Sequence, residues 1–478
     1  MRGSISVFLA YLLALLMAVV FALLEVSRVW GLEQQTCIDV TMSESSILAG
    51  YSKELWQEYG LLLLDGDDQE GNLDLSGLEQ TCLAYSAENL DVHAGVSGQI
   101  TGQTWNLFGL KPTEVDFTTY GLVTDQAGRA LIKEAVTCME QKVGGEVVEA
   151  LYELVAWDNQ DSAPQIEITE TDKEIVLSEN PMDVVEQMKK SSILQLVTQE
   201  AEVSNKTIDP THLVSNRSLH QGNYHVVETS PLLLGDINAF HAKDALLFRL
   251  YLEEYFPCFV NTRGNHCLDY EMEYLVVGKS SDRENLQGVV NQLLGMREVA
   301  NLTFLKTNAA KQEIVLAAAT AMATATLSPE LIPVYKAGIM AAWAYAEAVS
   351  DVRLLLDGQR VSMVKTQEQW HTDLNGLSQA QDGVKQSVGL DYQDYLQVLL
   401  WSKTDETLAY RAMDLMEKNT GYNMNHQIYY LDGTMSYQGK ALFPTLITIG
   451  NYGWKEYRFR QPFQASYIGC GAVFLYRG

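Results

Sequence analysis

Residues Ile5 to Leu24 (ISVFLAYLLALLMAVVFALL) are twenty consecutive apolar or small residues without a charge. At a rise of about 1.5 Å per residue, a helix of this length matches the roughly 30 Å hydrocarbon core of a bilayer. No other stretch of the chain does so as cleanly. A cleaved secretion signal fits less well, because its apolar region runs about 7–15 residues and ends at a small-x-small site. Here the longer run is followed by Glu25, Val26, Ser27, Arg28 and Val29. The expectation is an uncleaved single-pass anchor. With Arg2 on the short side, the positive-inside rule places the N-terminus inside and the rest outside the cell membrane.

The run carries a pattern. Ser6, Ala10, Ala14, Ala18 and Ala22 recur every four residues and form a ridge of small side chains, between bulky Phe8, Leu12, Leu13, Leu16, Met17 and Phe21. Lipid tails are as apolar as leucine, so helices associate in a bilayer by close packing, which small residues permit. The ridge therefore predicts packing against another helix. Alanine is also common in spanning helices, and that reading predicts none.

The helix is expected to continue past the membrane. There is no proline from Glu25 to Gly60, and Val29, Leu32, Thr36, Val40, Ile47, Tyr51, Leu55, Tyr59 and Leu62 recur at three- and four-residue steps, the spacing of one buried helical face.

The formal net charge of −28, from 61 acidic and 33 basic residues, disfavours nucleic acid, which is bound by basic patches. Ordinary charged content with 47% hydrophobic residues indicates a folded ectodomain and excludes an acidic disordered tail. Six cysteines in a chain placed outside the membrane permit disulfides. Cys258 and Cys267 flank the turn-forming FVNTRGNH, and a local bridge between them is the expected pair. Pairing among Cys37, Cys82, Cys138 and Cys470 stays open, as does the alternative of buried free thiols.

Catalytic motifs are lacking: there is no P-loop, no G-x-G-x-x-G, no G-x-S-x-G, no H-E-x-x-H and no C-x-x-C. The acidic loop with Asp65, Asp67, Asp68, Glu70 and Asp74 fails the EF-hand spacing, since the glycine position holds Glu70 and the final glutamate position Ser76. His212, His220, His225 and His241 match no metal-ligand spacing, and Glu253–Glu254 is a pair expected by chance in so acidic a chain. Gly469-Cys470-Gly471 suggests close packing only. Trp343, Glu347 and Asp351 lie at four-residue steps on one helical face, a candidate buried polar feature between two alanine-rich helices, Lys311 to Leu327 and Val334 to Leu356. No catalytic residue, metal ligand or cofactor is expected, and the chain reads as non-enzymatic.

Several stretches together, MRGSISVFLAYLL, YSKELWQEYGLLLLD, LVSNRSLHQGN, LDYEMEYLVVGKSSDRENLQ, WAYAEAVSDVRLLLDGQRVSMVKTQEQW, LDYQDYLQVLLW and RAMDLMEKN, resemble an uncharacterised family of single-pass envelope proteins of Gram-positive bacteria. The N-terminus is similar to the minor pilin-like proteins of tight-adherence (Tad) pilus systems, in which a spanning helix likewise runs into an amphipathic one. The resemblance implies a structural or assembly component of a Tad-like pilus or a related envelope or secretion system. The alternatives are a stand-alone binding or adhesion module and an envelope hydrolase with unfamiliar motifs. One departure bears on processing: Gly3 matches the glycine of a prepilin cleavage site, but Phe8 stands where that pattern has glutamate. A permanently membrane-held component is favoured over a fibre subunit.

The expected fold is α+β: an N-terminal transmembrane helix running into a long amphipathic helix, then a mixed helical and β-strand ectodomain with a β-rich C-terminus. The expected regions are an anchor at 1–25, a juxtamembrane amphipathic helix at 26–64, a first ectodomain region at 65–157, a linker-like region with one helix at 158–235 and a main α+β ectodomain at 236–478. Leu61 to Leu64 and Tyr274 to Gly278 (YLVVG) read as short strands. The partners expected are the lipid bilayer, through the N-terminal helix, and proteins of the membrane or pilus machinery.

Overall fold

A computed structural model of the chain describes residues 2–68, 70–90, 109–143, 179–198, 203–224, 242–377, 389–442, 456–468 and 471–473. It mixes helices with strands and is β-rich at its C-terminus. Two compact units emerge, each assembled from separated stretches: unit 1 from Met1–Gln141, Ser218–Phe240 and Thr420–Gly478, and unit 2 from Lys142–Arg217 and His241–Asn419.

Unit 1 is built on one long helix, α1 (Arg2–Leu48), and an antiparallel sheet. Leucine, alanine and valine dominate the first half of α1, and no proline interrupts its 47 residues. From Ile5 to Leu24 its side chains are exposed or at most half-buried, and the segment is long and apolar enough to cross a membrane. The character changes at Glu25. From there Glu25, Arg28, Leu32, Thr36, Asp39, Val40, Ser43, Glu44, Ile47 and Leu48 are buried at three- and four-residue intervals, a single helical face.

That face lies on the sheet. Its central strand β3 (Gln427–Lys440) pairs along one edge with β2 (Leu110–Leu122). The opposite edge is shared by β1 (Leu64–Asp65) at Gln427 and Ile428 and by β4 (Glu456–Ile468) from Tyr430 to Lys440, and β4 in turn pairs with β5 (Gly471–Val473). Leu431, Met435, Tyr437, Phe463, Ala465 and Tyr467 join Leu32, Val40, Ile47 and Leu48 in the core. A column of polar ties reinforces the packing. The Arg28 guanidinium bonds Glu25 (3.0 Å) and the Lys440 carbonyl (2.7 Å), and Gln461 donates to Thr36 (2.8 Å). Tyr437 donates to Asp39 (2.8 Å), the Gln464 N–H to Glu44 (2.9 Å) and Tyr467 to the Leu48 carbonyl (2.6 Å). Buried polar groups must be bonded, so these pairs fix both register and tilt of the helix.

The amphipathic helix is shorter than its periodicity suggests. It stops at Leu48, and α2 (Lys53–Tyr59) restarts after a turn that leaves Tyr51 exposed. Leu61 to Leu63 are buried but outside the sheet, and pairing begins at Leu64. Carboxylates of the acidic loop serve local structure. Asp68 accepts the N–H groups of Glu70 and Asn72, Asp74 caps α3 (Leu75–Asn89) through the Gly77 N–H, and Asp67 pairs with His426.

Unit 2 is helical. After α4 (Asp125–Val143), its described helices include α5 (Pro181–Lys190), α6 (Ile193–Thr198), α7 (Ala242–Tyr255), α8 (Glu271–Val277), α9 (Asp282–Thr307), α10 (Ala309–Ala325), α11 (Ile332–Leu356), α12 (Tyr392–Leu400) and α13 (Asp405–Thr420). The helices α10 and α11 form the expected alanine-lined hairpin, and α9 packs along α11. Nearly every residue of α11 from Ile339 to Leu356 is buried. Tyr274 to Val277, expected as a strand, is helical within α8. That helix buries Glu271 and Glu273 as well as its apolar residues and ends at Gly278, whose φ of 77° suits a residue without Cβ.

The expected Cys258–Cys267 bridge is absent: both are free thiols, as are Cys37 and Cys82, while Cys470 lies outside the described residues. The loop between them is closed without a covalent bond. Cys258 and Asn261 exchange backbone hydrogen bonds, Arg263 donates to the Tyr255 and Glu254 carbonyls, and Lys206 donates to the His266 carbonyl and Asp269. Burial, reinforced by nearby carboxylates, pushes the Cys258 and Cys267 thiols up to about 12. Only the thiolate is alkylated. At pH 8 both should therefore react about a thousandfold more slowly in the folded chain than after denaturation. Mass-resolved iodoacetamide labelling checks this, and equal rates before and after unfolding would contradict the burial.

Candidate functional site

A dense constellation of charge in unit 2 is enclosed within its helices. The helix α11 presents Trp343, Glu347 and Asp351 on successive turns, and the neighbouring α9 contributes Arg297 and Asn301. The segment after α11 brings Lys365, Trp370, His371 and Thr372, and α12 adds Tyr395. Arg297, Glu347 and Asp351 are fully buried and Lys365 is 5% exposed.

Bonding is dense. Arg297 Nε donates to Asp351 Oδ2 (3.0 Å), and its Nη1 reaches the carbonyls of Ser362 and Met363 and the Tyr395 hydroxyl, each at 3.0 Å. Asn301 donates to the same Asp351 oxygen (3.0 Å). The Lys365 ammonium sits between the two carboxylates, 2.5 Å from Asp351 Oδ1 and in direct contact with Glu347 Oε1. Glu347 Oε2 accepts the Thr372 N–H (2.8 Å) and hydroxyl (2.7 Å), while Oε1 accepts the His371 N–H (3.0 Å) and lies 3.2 Å from His371 Nδ1. Burial by itself would raise the Glu347 carboxyl. The His371, Lys365 and Thr372 contacts outweigh it and hold the group well below the usual carboxylate range.

Aromatic rings wall the cluster. Trp343 and Trp370 meet edge-to-face at 5.4 Å, Phe304 stacks on Trp370 at 5.3 Å, and both indole N–H groups donate to Thr372. The Lys311 ammonium lies over Trp343 (4.4 Å) and Trp370 (5.0 Å), and burial lowers it to about 8. Ligand atoms of Glu347, Asp351 and His371 fall within 4.8 Å of one another, a spacing compatible with a metal ion. The Lys365 ammonium already stands between the two carboxylates, so the chain supplies its own cation there.

Residues 171–439 match the model of a family of unknown function (DUF5702), more than half of the chain and the whole of this cluster. The chain belongs to that family. No curated protein and no solved structure matches it. The match begins well beyond α1 and takes in residues 171–217 and 241–419 of unit 2 and nearly all of the central strand β3.

Glu347 and Asp351 were legible as a pair on one face, with Trp343 beside them. Arg297, Lys365 and His371 were not, although a signal existed. Leu286, Val289, Val290, Leu293, Leu294 and Leu305 form the apolar face of α9, and Arg297 and Asn301 interrupt that stripe at positions that must be buried. The other candidates stay apart. Glu254 is an exposed partner of Lys142 (2.9 Å), whereas Glu253 accepts from Gln397. His220 lies against His426 (ring centroids 5.2 Å apart), His212 belongs to a short surface turn, and His225 and His241 lie outside the described residues. All five ridge residues Ser6, Ala10, Ala14, Ala18 and Ala22 lie on the exposed half of α1.

Unit 2 also holds a polar cavity of about 310 Å³, lined among others by Ser215, Tyr274, Lys279, Glu406 and Arg411.

Proposed function

We propose that this chain is a non-enzymatic, single-pass membrane protein, N-terminus inside and ectodomain outside, that serves as a structural or assembly component of a Tad-like pilus or related envelope machinery. The observation that carries the reading is the division of α1 at Glu25. Before it the helix is apolar and bare, and after it the same rigid rod is bonded turn by turn to a five-stranded sheet. A spanning helix continuous with a folded unit transmits position and force between membrane and ectodomain, which a flexible tether would not. The enclosed charged cluster of unit 2 suits a load-holding element better than a site open to substrate.

The ridge supplies the test. Ala14→Leu or Ala18→Leu should weaken association of the span with other helices by about tenfold and leave insertion unchanged, since leucine is as lipid-compatible as alanine. Leu13→Ala, off the ridge, is the control. Disulfide crosslinking between span cysteines in native membranes reports the difference, and equal behaviour of ridge and control substitutions would remove the packing role. The polar cavity of unit 2 favours a second reading, a stand-alone binding module. Membrane crosslinking that captures no protein partner, together with saturable binding of a small polar ligand, would select it.

A further inference from the structure

Two buried carboxylates facing one buried ammonium are the components of an amide bond, and unit 2 holds them in contact. The geometry points to an intramolecular isopeptide bond between Lys365 Nζ and Glu347 Cδ, formed by the folded chain itself, with Asp351 and His371 moving the protons.

Each group is placed for one task. Asp351 Oδ1, 2.5 Å from the ammonium, is the base that takes its first proton, and Arg297 and Asn301 hold that carboxylate in position through its other oxygen. The freed amine is already in contact with Glu347 and attacks Cδ. Charge that develops on Oε2 in the tetrahedral intermediate meets the Thr372 N–H and hydroxyl at 2.8 and 2.7 Å, two donors fixed by the backbone of one residue. Oε1 departs as water: it takes the second proton through His371 Nδ1, 3.2 Å from it and 3.5 Å from the lysine nitrogen, and the first back from Asp351, whose carboxylate lies within 4.8 Å. The step balances. An ammonium and a carboxylate become an amide and one water; one C–N bond forms, one C–O bond breaks, and the two protons lost by nitrogen leave on oxygen. No oxidant, cofactor or activated donor is needed.

Two physical arguments make condensation favourable here and nowhere on the surface. Fixed contact replaces a bimolecular encounter and removes most of its entropic cost. Burial adds a desolvation cost to the separate charges, which the contacts around Glu347 offset in the ion pair and which a neutral amide does not carry. The exposed pair Lys190–Glu186 at 2.7 Å has the distance and lacks the burial. The indoles of Trp343 and Trp370 exclude water that would reverse the reaction. The bond would close the 17 residues between Glu347 and Lys365, the end of α11 and the segment after it, into a covalent loop across the core of unit 2.

Tryptic mapping of the full-length chain, purified in detergent, decides the matter. Expected is a branched peptide joining 337–353 to 361–385, lighter by one water than its parts, with no cleavage after Lys365. Free 337–353 and cleavage after Lys365 in the wild-type chain would overturn the proposal. Lys365→Arg keeps a cation in place but should give the unlinked peptides. The same water loss in that variant would also overturn it, by placing the dehydration elsewhere. Asp351→Asn should leave most chains unlinked while the far-ultraviolet spectrum stays helical, and full linkage would remove Asp351 as the base.

Discussion

Replacing Arg297 by methionine is expected to destabilise unit 2 by about 3–5 kcal/mol, among the largest effects of any single substitution in the chain. The arginine is fully buried and is the cation that α9 delivers to Asp351. Methionine fills similar volume, so the loss is not one of packing. What remains is an Asp351 carboxylate in the core with its Oδ2 partner reduced to Asn301, and the Ser362 and Met363 carbonyls stripped of their donor. The expectation holds whether Lys365 is free or acylated, because acylation would make Asp351 depend still more on Arg297. Denaturant titration of the solubilised chain measures it. The double change Arg297→Met with Asp351→Asn should recover part of the loss, because it removes the stranded charge. Lys190→Met, which breaks the exposed pair with Glu186, should change nothing measurable. Arg297→Met that behaved like Lys190→Met would show that the cluster is no structural centre.

How far the sequence announced this architecture depended on the length of the signal. Twenty apolar residues in α1 and two long alanine-rich stretches in α10 and α11 leave little choice of element. The alternation of β3 over Leu431, Gly433, Met435 and Tyr437 likewise marks one face of a sheet. Tyr274-Leu-Val-Val-Gly is a short apolar run whose propensities favour a strand. It is helical because Glu271 and Glu273, just before it, find buried partners in His266, Asn419 and Tyr392 that no local rule contains. The same limit hid half of the charged cluster. Glu347 and Asp351 share a helix and so share a period, but Lys365 and His371 reach them from an irregular segment, and Arg297 lies 54 residues before its partner Asp351, on α9. Spacing reveals neighbours along one element and is silent across elements. The expected disulfide failed for a related reason: turn residues between Cys258 and Cys267 did signal a closed loop, and backbone bonds from Arg263 and Lys206 close it.

Raising the pH from about 5 to about 8 should cost the folded chain stability, and Glu273→Gln should remove about 2.5 kcal/mol of that loss. Glu273 is fully buried in α8. Its Oε1 accepts the Phe259 N–H (2.9 Å) and the Tyr392 hydroxyl (2.7 Å), while Oε2 is buried without a hydrogen-bond partner. Burial raises the carboxyl from an ordinary 4.5 to about 7, against the opposing pull of those two donors. A group whose folded value lies above its unfolded value binds its proton more tightly when folded. Its stabilising contribution is therefore complete below about 4.5 and is lost as the pH rises through about 7. Glu44, which burial also raises to about 7 beneath the sheet of unit 1, adds a slope of the same sign in this window; Asp39, Asp282 and Asp414 are raised by the same cause. Glu347 works in the opposite sense, but its contribution is present above about 4.5 and disappears only on further acidification, outside this window. Glutamine at position 273 cannot ionise, and its amide takes up the unpartnered Oε2 position at some cost that is independent of pH. The variant should accordingly be the less stable chain at pH 5 and lose less on the way to pH 8. Denaturant midpoints at three pH values separate the outcomes. Parallel curves for wild type and variant would mean that Glu273 stays in one protonation state throughout, and that the slope belongs to the other buried carboxylates.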